Sequence, residues 1–190
     1  EKVIPLLQHM VNHLVIGDPT KESTFLGPII SGEAQQRFFN AESKAADCGG
    51  KGLPISATPE VPSCGYFVKP SLFRFEQLPR TEVFAKGFFD EEIFGPALNI
   101  FPAREVGAAT DFINQSQYGL ALSVFSNDLS VFETFSDACR VGVCNWNRPT
   151  TGASSALPFG GQKASGNHFA TALFAPRYCT YPVAKLQEAQ

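Results

Sequence analysis

Paired cysteine motifs are absent from this 190-residue chain. Its five cysteines, Cys48, Cys64, Cys139, Cys144 and Cys179, are odd in number and form no Cys-x-x-Cys pair. This argues against a disulfide framework and against a zinc site, so no metal is expected. Reduced thiols in a cytoplasmic protein are the default for such a pattern. There is no Lys/Arg cluster, and the net charge is −3. A nucleic-acid partner is therefore not expected, because phosphate binding needs a basic face. No apolar run is long enough to cross a bilayer, and no signal peptide opens the chain. The first residue is Glu1 rather than a methionine, and a helix-like pattern begins at once. The expectation is that a natural N-terminal part is missing.

Charged residues make up only 17% of the chain, hydrophobic ones 44%, and phenylalanine occurs 18 times. The length suffices for a buried core, in one large domain or a piece of something bigger. So many rings imply a heavy core, an interface, or both.

The segment Asp90-Glu91-Glu92-Ile93-Phe94-Gly95-Pro96 stands out. In a sheet of alternating strands and helices, ligands gather where strands give way to loops. A carboxylate there can grip ribose hydroxyls while a neighbouring ring packs on a flat cofactor. The plainer alternative is a solvated acidic turn with Phe94 as a core anchor.

Val3, Leu6, Leu7, Met10 and Leu14 mark an amphipathic helix over residues 2–15, with Pro5 tolerable near its first turn. His9 and His13 share a face of it but have no third ligand nearby. Ser31 can cap the next helix, whose buried face would be Ala34, Phe38, Ala41 and Ala45. Cys48-Gly49-Gly50-Lys51-Gly52 stops that helix and lacks P-loop spacing, so it reads as a turn. Short extended pieces follow at 66–68 and 72–75, broken at Pro70. Residues 76–90 read as a polar, irregular approach to the acidic segment.

Beyond Pro96 strand and helix patterns alternate. Strands are expected at 97–101, 120–125 and 141–145. Helices are expected around Val106–Ile113 and from a cap at Asn127 or Asp128 through Ala138. This βαβαβ order implies an α/β fold with parallel strands covered on both faces. Residues 146–166 form a long Gly/Ser/Thr/Pro-rich loop, and loops of that length are usually functional. Tyr178 to Leu186 alternates weakly, like an edge strand.

Several of these segments together resemble the aldehyde dehydrogenase superfamily. Glu91-Glu92-Ile93-Phe94-Gly95-Pro96 is similar to its cofactor-side motif. Pro158-Phe159-Gly160-Gly161-Gln162-Lys163-Ala164-Ser165-Gly166 is similar to its second signature, PFGGxKxSG. Asn114-x-x-x-Tyr118-Gly119-Leu120, Gly142-Val143-Cys144-Asn145, Gly27-Pro28 and the run Gly65 to Phe73 fit in the expected order. Asn145-Trp146-Asn147-Arg148-Pro149 and Ser165-Gly166-Asn167-His168, followed by Tyr178-Cys179 and Pro182, resemble a branch that oxidises N-succinylglutamate 5-semialdehyde with NAD in arginine breakdown.

The resemblance implies a three-layer α/β/α parallel sheet, that of the family's catalytic domain without its N-terminal cofactor domain. It places a partial catalytic domain at 1–177 and an oligomerisation strand with tail at 178–190, hence a homo-oligomer. It implies that Glu92 binds the nicotinamide ribose, that Phe94 packs near the nicotinamide, and that Phe159 lines the aldehyde pocket. On the loop, Arg148 could pair with a substrate carboxylate, with Thr151 and Ser155 as added donors. The family's cysteine nucleophile and glutamate base lie upstream of the matched region, so this chain offers no catalytic residue and alone would be inactive. Cys144 matches no nucleophile motif and reads as a small buried strand residue. No spacing supports a Cys-His hydrolase built on His168. The alternatives are a non-catalytic remnant or interaction module, and a family member with another aldehyde substrate.

Overall fold

Ser31 starts the longest helix of the chain, α2 (Gly32–Asp47), which follows α1 (Val3–Asn12). The Ser31 hydroxyl accepts a hydrogen bond from the Ala34 N–H at 3.2 Å, and Glu33 sits favourably in the first turn. Ala34, Phe38, Ala41 and Ala45 are its buried face, as their spacing requires. At its end a Cβ on Gly50 would meet the Ala45 carbonyl and the Phe75 ring at 2.8 Å, so the turn needs glycine there. The computed structural model describes residues 2–55, 61–79 and 88–188. Residues 80–87 of the expected polar approach lie outside these. The chain divides into two units, Glu1–Ala103 and Arg104–Gln190.

In the first unit, β1 (Lys51–Gly52), β2 (Ser71–Arg74) and β3 (Ala97–Ile100) form one sheet in that order. β2 and β3 run parallel, with Ser71 opposite Ala97 and Arg74 opposite Ile100, and β1 is antiparallel to β2. Residues 66–68, expected to be extended, join no ladder, although Phe67 and Val68 are buried. Ala41 and Ala45 pack on Phe75 and Phe88, with Phe73, Phe89, Ile93 and Phe101 around them. The Phe75 and Phe101 rings stack at 4.4 Å, and Phe89 meets both edge-on at 5.8 and 5.5 Å. The abundant phenylalanine therefore builds this core. Burying one such ring contributes about 1.5–3 kcal/mol.

Helix α1 is shorter than expected and buries no residue. Leu6 and Met10 on its apolar stripe are 64% and 63% exposed. The His9 and His13 rings do share a face, 4.4 Å apart, and the His9 carbonyl accepts a 2.7 Å hydrogen bond from His13 Nδ1.

The second unit holds α3 (Val106–Gln115), β4 (Tyr118–Gly119), β5 (Ala121–Val124), α4 (Leu129–Ala138) and β6 (Val143–Trp146). β5 and β6 are parallel, with Ala121 opposite Val143 and Val124 opposite Trp146, and α4 connects them. Asp128 caps α4 by accepting from the Ser130 N–H at 2.9 Å. Phe132 of α4 stacks on Trp146 of β6 at 5.7 Å.

The fold class is α/β, as expected. The run of strands is organised differently from the expectation, however. β3 pairs with β2 in its own unit, and β5 with β6 in the other, so the parallel pairs belong to separate sheets. β5 and β6 are mostly half-buried rather than covered on both faces. The long loop after Trp146 is not structureless either. β7 (Pro158–Phe159) pairs antiparallel with β9 (Thr171–Ala172), and β8 (Gln162–Lys163) with β4. Tyr178 ends the four-residue helix α5 (Ala175–Tyr178) instead of opening a strand. Residues 181–188 form no strand, since a ladder needs a second edge and none pairs with them among the described residues. Among the described residues no helix is long and apolar enough to cross a membrane.

Candidate functional site

The residues singled out from the sequence fall into two groups, one in each unit. In the first unit a short 3-10 turn, Phe88–Asp90, leads into the acidic segment. The Glu91 N–H donates to the Phe88 carbonyl at 3.3 Å, and the Gly95 N–H to the Ile93 carbonyl at 2.8 Å. The Pro96 carbonyl accepts from the Ser71 N–H at 2.9 Å, which ties the segment to β2. A Cβ on Gly95 would enter the Phe38 ring, so glycine lets the segment lie on α2.

The two acids differ. Glu91 takes a 2.7 Å ion pair from Lys44 on α2, while Glu92 is exposed beside it. The two apolar residues differ as well. Ile93 packs against the phenylalanine core, whereas Phe94 is 75% exposed. The core anchor of this segment is thus Ile93, and the alternative of Phe94 as anchor does not hold. A small hollow of about 30 Å³ opens beneath Glu92 and Phe94, walled by Arg37 and Phe38.

In the second unit the segment 158–166 folds back on itself. A Cβ on Gly142 would strike the Gly160 carbonyl, one on Gly161 would strike Ser165, and one on Gly166 would strike the Gly161 carbonyl. These glycines are there because backbone approaches backbone. The Ser165 Oγ accepts from the Gly119 N–H at 3.0 Å, and the Lys163 ammonium donates to the Ser116 carbonyl at 2.7 Å. Both polar residues of the signature therefore clamp it to β4 and the turn before it.

Phe159, half-buried on β7, lines a cleft of about 960 Å³ between this segment and residues 177–182. Arg148, Thr151 and Ser155 are exposed and do not line it. The neighbouring asparagines have structural work instead. Asn145 Nδ2 donates to the Pro149 carbonyl at 2.9 Å, and Asn147 both accepts from and donates to the Ser126 backbone at 2.9 Å. Sequence reasoning did not assign Asn167, Phe169, Arg177 or Tyr181 to this cleft, although all four line it. The signal available was the Tyr178…Pro182 pattern, which says nothing about what the tail folds against.

Burial pushes the Cys144 thiol up, partly opposed by a hydrogen bond from Ser136. Burial also raises Cys139, with Cys144 adding to the shift. A raised thiol holds less thiolate at neutral pH, the opposite of what a nucleophile needs.

A sequence model of the aldehyde dehydrogenase family matches residues 1–179. The chain belongs to the aldehyde dehydrogenase family. It is 37% identical over 188 residues to N-succinylglutamate 5-semialdehyde dehydrogenase 1 of Caulobacter vibrioides, covering 98% of this chain and 38% of that protein. It is 37% identical over 165 residues to the N-succinylglutamate 5-semialdehyde dehydrogenase of Legionella pneumophila strain Corby, covering 86% of this chain and 31% of the relative. The chain thus spans well under half the length of these relatives. The fold superposes on Mycobacterium tuberculosis aldehyde dehydrogenase complexed with NAD+, with a TM-score of 0.77 at 26% identity, covering 93% of this chain and 35% of that one. It also superposes on Physcomitrella patens aldehyde dehydrogenase 21 in complex with the reaction product succinate, with a TM-score of 0.76 at 26% identity, covering 92% and 34%.

Proposed function

We propose that this aldehyde dehydrogenase sequence works as the C-terminal part of a longer enzyme, which oxidises N-succinylglutamate 5-semialdehyde to N-succinylglutamate in arginine catabolism. The observation that carries the reading is the exposed pair Glu92 and Phe94, held at the surface by the anchored Ile93. A free carboxylate next to a free ring fits a sugar diol joined to a flat base. Relatives bearing that substrate's name support the choice of aldehyde.

In this reading Glu92 would accept hydrogen bonds from the two ribose hydroxyls of NAD, and Phe94 would pack near the nicotinamide. Both act by positioning, which lowers the entropic part of the barrier. Bound there, NAD would supply the acceptor for the hydride. Phe159 walls the aldehyde pocket and excludes water from the reacting carbon. Arg148, with Thr151 and Ser155, reaches a carboxylate of the substrate from the exposed loop. A nucleophilic thiolate and a general base come from sequence outside this chain, and the chain alone is inactive. A homo-oligomer formed through residues 178–190 is part of the same proposal.

The first test is the intact mass of the native polypeptide. A mass far above 20.6 kDa is expected, together with NAD-dependent turnover of the acidic aldehyde. Replacing Glu92 by Gln in that enzyme should weaken NAD binding and slow turnover. A mass near 20.6 kDa, or a full-length enzyme indifferent to this aldehyde, would overturn the reading.

A further inference from the structure

Among the described residues, the lining of the cleft beside Phe159 contains one cation, Arg177, and no aspartate or glutamate. The Arg177 guanidinium lies over the Phe174 ring, 4.4 Å from its centroid. That contact holds the planar group in place through a cation–π attraction while its edge N–H donors stay available. Two more donors line the same cleft. The Asn167 Oδ1 accepts from the Phe169 N–H at 3.1 Å, which leaves both amide hydrogens of Asn167 unused. The Ser165 Oγ accepts from the Gly119 N–H at 3.0 Å, which leaves its hydroxyl hydrogen to give. Each side chain thus spends an acceptor on the backbone and keeps donors for a ligand. The walls beside them are the rings of Phe159, Phe169 and Tyr181.

We propose that this cleft binds a carboxylate of an acidic, flexible small molecule, with Arg177 as the bidentate anchor, Asn167 and Ser165 as supporting donors, and the rings packed along the aliphatic stem. A guanidinium fork matches a carboxylate in geometry as well as charge. Arg177 is then a specificity-determining residue, and Arg148, which is outside the cleft, is left for a different carboxylate of the same substrate. The inference deepens the proposed reading of an enzyme for an acidic aldehyde and rests on it for the choice of ligand.

The test is a titration of the isotopically labelled 190-residue chain with N-succinylglutamate, read by two-dimensional NMR. The neutral triamide of the same compound is the control. The acid is expected to shift the resonances of Ser165, Asn167 and Arg177, and the triamide is not. Arg177→Ala should weaken binding about tenfold or more, the usual scale for a lost charged hydrogen bond. Arg177→Lys, which keeps the charge without the fork, should fall between the two. Lys21→Ala, an exposed cation in the other unit, should bind as the wild type does. Unshifted resonances away from the cleft show that each variant is folded. Equal binding by Arg177→Ala, equal binding of the triamide, or no binding by the wild type would each overturn the proposal. The readout needs neither the nucleophile nor NAD, so it holds or fails independently of the proposed reaction.

Discussion

The Ser165 hydroxyl accepts a hydrogen bond from the backbone N–H of Gly119, 46 residues earlier. Gly119 is buried, so this donor has no ready substitute in water. Replacing Ser165 by Ala should destabilise the chain by about 1–3 kcal/mol, the cost of leaving a buried donor unpaired. Chemical denaturation measures it. An unchanged midpoint would mean that the clamp between the signature and β4 carries no energy.

Glycine should matter unevenly. Gly142→Ala drives a methyl into the Gly160 carbonyl and should destabilise the chain by several kcal/mol or prevent folding, about the scale of a severe core disruption. A methyl on Gly107, in the first turn of α3, meets nothing within 4 Å. Gly107→Ala should therefore stabilise by up to about 1 kcal/mol. Thermal melts of the two variants that shift in the same direction would contradict the assignment.

Burial raises the Glu42 carboxyl above its ordinary value of 4.5, and the nearby Ser71 hydroxyl, outside good hydrogen-bond geometry, pulls it partly back. The folded chain then holds this proton to higher pH than the unfolded chain does. Stability is therefore lost as pH rises from about 4.5 through the raised value. Glu42→Gln removes that loss. Denaturation midpoints should favour the variant at neutral pH and converge with those of the wild type below pH 4.5. A difference that persists at acid pH would point to packing rather than ionisation.

Thiol reactivity should follow burial. Cys64 and Cys179 are exposed, Cys139 is buried, and burial raises both Cys139 and Cys144. Brief alkylation followed by peptide mass spectrometry should label Cys64 and Cys179 first, and Cys139 and Cys144 last. Fast labelling of Cys144 would revive it as a nucleophile.

The tail leaves Tyr181, Val183 and Leu186 at 84%, 75% and 99% exposure. Exposed apolar chain of this kind invites association. The isolated chain should self-associate in sedimentation at high concentration, and deletion of 181–190 should reduce it. A clean monomer would sink the expectation.

Local features were legible without the fold. The caps at Ser31 and Asp128 act over two or three residues, and the buried face of α2 follows from helical period alone. β3, β5 and β6 came within about two residues of their bounds because short apolar runs between turn signals have few other uses. What the sequence by itself determined was this set of elements and the family. Tertiary structure decided the rest. Nothing local tells Ile93 from Phe94, since only packing against Phe75 and its neighbours makes one the anchor and leaves the other free. Strand partners are equally remote: β3 chose β2 and β4 chose β8 across distant stretches of chain. Arg177 carries no motif, and it became a candidate only when the chain's return brought it to the cleft that Phe159 lines. Period and capping are written into neighbouring residues, whereas exposure, pairing and the company a charge keeps depend on contacts between residues far apart in sequence.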